Sequence, residues 1–513
     1  VSHAPDPPAA RPRGLQPRTL AEVAAQLGQD LPLGAKAKAE VTGIASDSRS
    51  VRPGDLYVAL PGRTAHGAQF AATARARGAV AVVTDPAGAQ QSEAARLPVL
   101  VVPDPRARVG TLASWVYGDP SGELRVIGVT GTNGKTTTAY LLEAGLRATG
   151  HRTGLVGTIE TRIGNEAVPS VRTTPEAADL QGVLAVMRER GVDAVAMEVS
   201  SHALALGRVD GTTYDVAVFT NLSEDHLDFH ADLDDYFAAK ATLFTPGRSR
   251  VGVVNVDDPY GERLAADAKI PMVTVSPSGR DGADWRVEKV EVAGSGSTFR
   301  LVGPDGVTVD GGTALVGAFN VDNAALAVVA LVQAGVEADA AAKGVAGCAG
   351  VPGRMERVAE GQEFLALVDY AHTPDALERL LTAARGLTRR GSGRVLLVIG
   401  AGGDRDPHKR PVMGEIAARG ADVAVLTNDN PRSEDPHVIL SALKAGAARS
   451  GGSATVEVVP DRKAAIDKAV GLAGPGDVVV IAGKGHEQGQ EVAGEVHPFD
   501  DRAVLRAAIA AAR

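Results

Sequence analysis

The chain has 513 residues, 44% hydrophobic and 22% charged, with a formal net charge of −9. At about 150 residues per domain this length predicts about three domains, and the acidic balance excludes a broad nucleic-acid surface or attraction to anionic lipid. The single cysteine, Cys348, rules out an intrachain disulfide and a thiolate-rich metal site and fits a reducing cytoplasm.

Residues 1–18 are rich in Pro, Ala and Arg without the apolar core of a signal peptide, and read as a disordered leader. Residues 19–123 mix short strands and helices, with strands over 55–60 and 78–83, as an N-terminal α/β domain without a phosphate loop. From 124 to 351, β-branched runs at 125–130, 193–199, 216–221 and 251–255 end in polar residues and alternate with helices. That alternation predicts a parallel sheet covered by helices. Residues 285–316 read as an antiparallel insertion or edge, followed by a helix over 320–335. The longest apolar stretch, 324–336, is broken by Gln333 and Gly335 and is too short to span a bilayer. After a hinge-like break at 350–353, strands over 364–368, 395–399, 423–426 and 478–481 predict a C-terminal Rossmann-like domain covering 352–513. The fold class expected is α/β in three domains, the central one carrying a P-loop.

That loop follows the run at 125–130, where Gly131-Thr132-Asn133-Gly134-Lys135-Thr136-Thr137 opens a helix. Glycines let backbone N–H groups approach an anion, the lysine reaches outer phosphates, and a hydroxyl serves Mg²⁺. The generic P-loop pattern would place its first glycine at 129, where this chain has Val129. The mechanism therefore fits while the strict pattern does not.

In an open parallel sheet, ligands bind beyond the carboxyl ends of the strands. In the central domain those ends carry Glu198-Val-Ser-Ser-His202 and Thr220-Asn-Leu-Ser-Glu-Asp-His226. Thr136, Glu198 and His226 are oxygen and imidazole donors suited to nucleotide-bound Mg²⁺, although Glu198 and His202 could equally cap the next helix. His226 and His230 have the spacing of a zinc helix, but Leu227 occupies the position of the required glutamate, which disfavours that reading. Lys240 shares an apolar helical stripe with Phe237, Leu243 and Phe244. Snorkelling explains such a lysine, and so does a lowered pKa that makes it a nucleophile toward CO₂.

The four strands of the third domain end in Asp369-Tyr-Ala-His-Thr-Pro374, Gly400-Ala-Gly-Gly-Asp-Arg405, Asn428-Asp429-Asn430-Pro431-Arg432 and Gly483-Lys-Gly-His-Glu487. Lining one crevice, these loops bring arginines for carboxylates and a glutamate for an ammonium, the requirements of a zwitterionic amino acid.

Read together, these motifs resemble the Mur ligases, ATP-dependent amide-forming enzymes of peptidoglycan precursor synthesis, over about residues 46–502. The resemblance implies ATP contacts at the phosphate loop, Asn320, Asn323, Arg354 and Asp369, and catalytic roles for Lys135, Glu198, His226 and Lys240. It implies that Lys240 is carboxylated and that the carbamate joins Thr136, Glu198 and His226 around Mg²⁺, which favours carbamylation over snorkelling. Asp429-Asn430-Pro431-Arg432 is similar to the motif of members that add meso-diaminopimelate, with Arg405, Gly483 and Glu487 completing that site. Such a pocket suits a substrate that differs from lysine by one carboxylate, which Arg432 would bind. The UDP-MurNAc-L-Ala-D-Glu substrate is assigned to Ser46, Ser48, Arg63, Thr64 and Ala65 of the first domain and to Thr173, Thr174, Ser200 and Arg208 of the second. Arg172 and Leu206 depart from some relatives, which have asparagine and glutamine there. The resemblance implies transfer of the ATP γ-phosphoryl group to the D-Glu γ-carboxylate, then attack by the diaminopimelate amine, in a cytoplasmic monomer. A lysine-adding relative, a folylpolyglutamate synthase-like ligase and a noncatalytic P-loop scaffold are the competing readings.

Overall fold

The computed structural model describes residues 11–62, 64–388 and 393–512. Three parallel-sheet units follow one another along the chain. The first is a four-stranded parallel sheet in the order Gly43–Ala45, Asp55–Val58, Ala81–Thr84, Val99–Val101. Its two outer strands escaped the sequence reading, because each is only three residues long.

The second unit is an 11-stranded sheet. Arg125–Thr130 lies near its middle, flanked in parallel by Ala194–Glu198 on one side and Tyr214–Phe219 on the other. Thr153–Val156 extends the first side, and Ser249–Asn255 and Met272–Ser276 extend the second. The chain thus crosses from Arg125–Thr130 to one side and later returns from Ala194–Glu198 over it to the other, and a crevice opens at its carboxyl end. Trp285–Ala293, Gly296–Val302 and Thr308–Thr313 form the antiparallel edge expected over 285–316. An additional hairpin, Glu160–Ile163 with Glu166–Pro169, borders the other edge.

Helices cover both faces of this sheet. Lys135–Ala148 and Phe319–Gln333 close one face around Leu141, Leu142, Leu326 and Leu331. Ala177–Glu189 and Leu233–Ala241 close the other around Leu180, Leu184, Tyr236 and Phe237. Ala177–Glu189 also turns Ala177, Ala178 and Ala185 into the core of the first unit, so one helix serves two cores.

The third unit is six-stranded, in the order Glu356–Val358, Leu365–Asp369, Val478–Ala482, Val395–Ile399, Val423–Leu426, Thr455–Val458. All neighbours are parallel except the first pair. Pro374–Leu387, Lys409–Gly420 and Pro436–Arg449 pack on one face, and Arg462–Leu472 and Asp501–Ala511 on the other.

The start of the chain differs from expectation. Residues 1–10 lie outside the described residues, but 11–18, expected as part of a disordered leader, are held in place. Arg11 bonds the Tyr117 hydroxyl and the Asp55 carboxylate, the latter at 3.1 Å, while the Glu189 carboxylate accepts from Arg13 N at 2.9 Å and Gly14 N at 3.0 Å. Two acidic groups on different units thus anchor this Pro- and Arg-rich segment. Among the described residues no helix is long and apolar enough to cross a membrane.

Candidate active site

The phosphate loop begins where the strand Arg125–Thr130 ends, and two glycines shape it. Gly131 has φ 144° and Gly134 φ 85°; a Cβ on the first would overlap the Thr220 hydroxyl, and on the second the Asn323 amide oxygen. Both positions combine a left-handed backbone with close approach, which only glycine supplies without strain. Lys135, the first residue of the following helix, folds back to donate to Gly131 O at 2.9 Å and Thr132 O at 2.7 Å.

Around this loop lies a cavity of about 260 Å³ lined by Thr132 to Thr137, Glu198, His226, Lys240, Asn323, Arg354 and Asp369, among others. Gly131 and Asn320 stand just behind it. Gly131 contributes its carbonyl, and Asn320 accepts from Asn323 Nδ2 at 3.0 Å. Thr173 and Ser200 line the same cavity, and Thr174 is buried beneath, donating to Glu198 O at 2.9 Å.

Glu198 does not cap the next helix. That task falls to Ser200, whose hydroxyl accepts from Ala203 N. Instead, the buried Glu198 carboxylate accepts from Thr136 Oγ1 at 2.9 Å and from Thr158 N and Oγ1 at 2.7 and 3.0 Å. Hydroxyl and carboxylate oxygens are the donor set Mg²⁺ prefers, so Thr136 and Glu198 fit such an ion. His226, at φ 57°, pairs with Asp225 at 3.5 Å and packs edge-on against His202; burial lowers its pKa. Among the described residues no three His, Cys, Asp or Glu side chains already converge as a metal cluster.

Lys240 does not snorkel. Its side chain is 1% exposed and its Nζ donates to Gly131 O at 2.7 Å, 4.4 Å from the Tyr236 ring centre. Burial, reinforced by the Lys135 charge, brings its pKa well below the ordinary lysine value.

A second cavity of about 590 Å³ opens between the central and C-terminal sheets. Arg405, Asp429, Asn430, Arg432, Gly483 and Glu487 all line it together with Tyr370 and His372, so the loops after all four strands meet there. Pro431 turns the loop instead, its carbonyl accepting from Glu434 N at 3.1 Å. Arg432 takes the left-handed backbone at φ 55°, donates to Gly403 O at 2.6 Å and lies 3.4 Å from Glu491. Glu487 Oε2 accepts from Asn430 Nδ2 at 2.8 Å and from Lys484 Nζ at 3.1 Å. Lys484, fully buried, was missed by the sequence reading; its signal was a lysine between two glycines at a strand end.

The two cavities share Asp225, His226, Tyr370, His372 and Thr373. The C-terminal unit reaches the phosphate loop directly. Arg354 donates to Thr136 Oγ1 at 3.2 Å and lies over the Tyr370 ring, and Asp375 accepts from Asn133 Nδ2 at 2.7 Å. Asp369 is buried, accepting from Met355 N and Ala371 N at 2.8 Å each. Thr158, Asp322 and Arg379 also line the first cavity without having been singled out, since no strand was expected before Thr158 and helical periodicity alone does not mark Asp322 or Arg379.

The remaining expected residues that the structure describes line neither cavity. Ser46 and the buried Ser48 follow the strand Gly43–Ala45, and Thr64 and Ala65 form a turn in which Ala65 O accepts from Gly62 N at 3.1 Å. Arg63 lies outside the described residues. Arg208 pairs with Glu176 at 3.0 Å, and Arg172 approaches the same carboxylate at 4.0 Å. Burial acts to raise the Asp47 pKa, but Arg49 holds it below the ordinary value with help from Arg172.

Comparisons with known proteins agree with this arrangement. Family models described as "Mur ligase family, catalytic domain", "Mur ligase middle domain" and "Mur ligase, glutamate ligase domain" match residues 40–117, 129–331 and 353–485. A Streptomyces coelicolor protein named UDP-N-acetylmuramoyl-L-alanyl-D-glutamate--2,6-diaminopimelate ligase is 58% identical, with 98% of each chain covered. A Streptomyces avermitilis protein of the same name is 57% identical over the same share of each chain. A solved structure of a ligase with that name superposes with a TM-score of 0.68 at 34% identity, covering 97% of this chain and 99% of its own.

Proposed function

The chain belongs to the Mur ligase family, and on that premise we propose that it joins meso-diaminopimelate to the D-Glu γ-carboxylate of UDP-MurNAc-L-Ala-D-Glu, consuming ATP through an acyl phosphate. The observation that carries this reading is the shared wall of the two cavities, formed by Asp225, His226, Tyr370, His372 and Thr373. A carboxylate held there is open to a phosphoryl donor on one side and to an amine on the other. Two-step amide formation requires that juxtaposition.

In this mechanism Lys135 exchanges the Gly131 and Thr132 carbonyls for phosphate oxygens; Thr132 N and Asn133 N donate to Asn221 at 2.8 and 2.9 Å and so brace the loop from Gly131 to Gly134, while the N-terminus of the following helix, through Thr137, faces the anion. Asn320, Asn323 and Arg354 hold the rest of ATP, and Asp369 faces its ribose. Thr136 and Glu198 would hold Mg²⁺, with His226 and the Lys240 carbamate completing its ligands. An ion held there would supply positive charge against the transferring phosphoryl oxygens. Thr173, Thr174, Ser200 and Arg208 hold the UDP-dipeptide against the central unit, and Ser46, Ser48, Arg63, Thr64 and Ala65 hold its nucleotide end.

Arg405, Asp429, Asn430, Pro431, Arg432 and Gly483 form the amino-acid pocket. Arg432 binds the carboxylate that diaminopimelate has and lysine lacks. Glu487, fixed by Asn430 and Lys484, faces the distal ammonium.

Phosphate release measured with ATP, the UDP-dipeptide and either diaminopimelate or lysine tests the assignment. Release is expected to need both substrates and to be far faster with diaminopimelate. Lysine outperforming diaminopimelate, or ATP turnover indifferent to both substrates, sinks it. Arg432→Ala is expected to raise the KM for diaminopimelate about 10- to 100-fold, as for a lost charge-assisted hydrogen bond, with ATP affinity nearly unchanged.

A further inference from the structure

At neutral pH an amino acid arrives as its ammonium, which has no lone pair to attack a carbonyl carbon. None of the roles given above to Lys135, Glu198, His226 or Lys240 removes that proton. Resting on the ligase reading, we propose that His372 is the base that accepts it.

Position is the first support. His372 lines both cavities at their junction, where the activated carboxylate and the incoming amine must meet. The second is the tautomer. Nδ1 lies 2.8 Å from Tyr370 O; a carbonyl only accepts, so Nδ1 carries the hydrogen and Nε2 keeps its lone pair. Nε2 has no hydrogen-bond partner among the described residues. Third, the ring is held. It packs against Tyr370 with centroids 4.6 Å apart, and the His372 carbonyl accepts from Lys409 Nζ at 3.0 Å. Burial, helped by the Lys409 and Arg354 cations and opposed by Asp225 and the Tyr370 carbonyl bond, lowers its pKa. The imidazole is therefore neutral at working pH, and the Asp225 carboxylate offsets the charge it gains on protonation.

The step balances. One ammonium proton passes to Nε2, and the freed lone pair forms the C–N bond. The bond between the carbonyl carbon and the phosphate oxygen breaks, with its electron pair leaving on phosphate. Phosphate takes the second nitrogen proton and departs as hydrogen phosphate. The amide keeps the third hydrogen, and His372 returns its proton to water in the second cavity.

The test compares two nucleophiles on the full chain with ATP and the UDP-dipeptide: diaminopimelate, which arrives protonated, and hydroxylamine, which is already neutral at pH 7 and needs no base. His372→Asn is expected to lower kcat/KM for diaminopimelate about 100-fold or more while hydroxamate formation stays within a fewfold of the native rate. Equal losses with both nucleophiles, or no loss with diaminopimelate, overturn the proposal. The native chain gives an independent reading should the variant misfold. Its kcat/KM for diaminopimelate is expected to level off well below the pKa of the free amine, and a continued rise up to that pKa overturns the proposal. A native chain that makes neither product defeats the ligase reading itself.

Discussion

Two lysines, Lys240 buried and Lys135 half-buried, converge on one carbonyl. Lys240 and Lys135 both donate to Gly131 O, at 2.7 and 2.9 Å. Burial is the larger cause of the low Lys240 pKa and the Lys135 charge the next, and both favour the neutral amine, the form that attacks CO₂. A carbamate there would set a negative charge beside the Lys135 ammonium and add oxygen ligands to the cavity that Thr136 lines. In ¹³C-bicarbonate the native chain is expected to show a carbamate carbon resonance that Lys240→Ala lacks, with ligase activity falling about 100-fold or more. Absence of that resonance in the native chain would leave Lys240 as a plain amine. Sequence pattern marked this lysine as out of place among Phe237, Leu243 and Phe244, but whether it reached solvent depended on Tyr236 and the phosphate loop, both packed over it.

At the scale of elements, the strand-loop-helix unit from Arg125 to Ala148 was legible because its β-branched strand, glycines and lysine each leave a distinct local mark. Gly134→Ala would force a side chain into a left-handed backbone and against Asn323. We expect at least a 10-fold loss of ATP affinity, measured by titration calorimetry, in a chain that still folds. Two of the strands that the sequence concealed lie at the surface. Glu166–Pro169 is exposed at every residue, and Thr455–Val458 has no fully buried residue, so neither presents the apolar run that marks a buried strand. Backbone pairing with a neighbour holds them, and pairing leaves little trace in composition.

The molecule as a whole is held by elements shared between units. Ala177–Glu189 belongs to two cores, and the segment starting at Arg11 bridges Asp55 and Tyr117 on one unit to Glu189 on the next. Asp179 lies in this junction, where burial, partly opposed by Arg11, pushes its pKa up to about 6. A raised carboxyl favours the folded state while protonated, and that contribution is lost as pH rises from about 4 through 6. Asp179→Asn escapes the loss. Its stability relative to the native chain is expected to grow by up to about 3 kcal/mol between pH 4 and pH 8, read from denaturant midpoints. A pH-independent difference would show that the Asp179 pKa is the same in the folded and unfolded chain. On the opposite side, Asn133–Asp375 and Thr136–Arg354 bonds join the phosphate loop to the C-terminal unit, so movement about the 350–353 segment changes both cavities together.

Sequence alone determined the family, the α/β alternation, the phosphate loop and the polar clusters at the strand ends, because each rests on residue types at short, regular spacing. Only the tertiary structure decided that Lys240 is enclosed, that Glu198 binds Thr136 and Thr158 in place of a helix end, that Asn430 holds Glu487, and that His372 stands where the two cavities meet. Those outcomes depend on residues tens to hundreds of positions apart approaching within a few ångströms. Local spacing records nothing of such approaches.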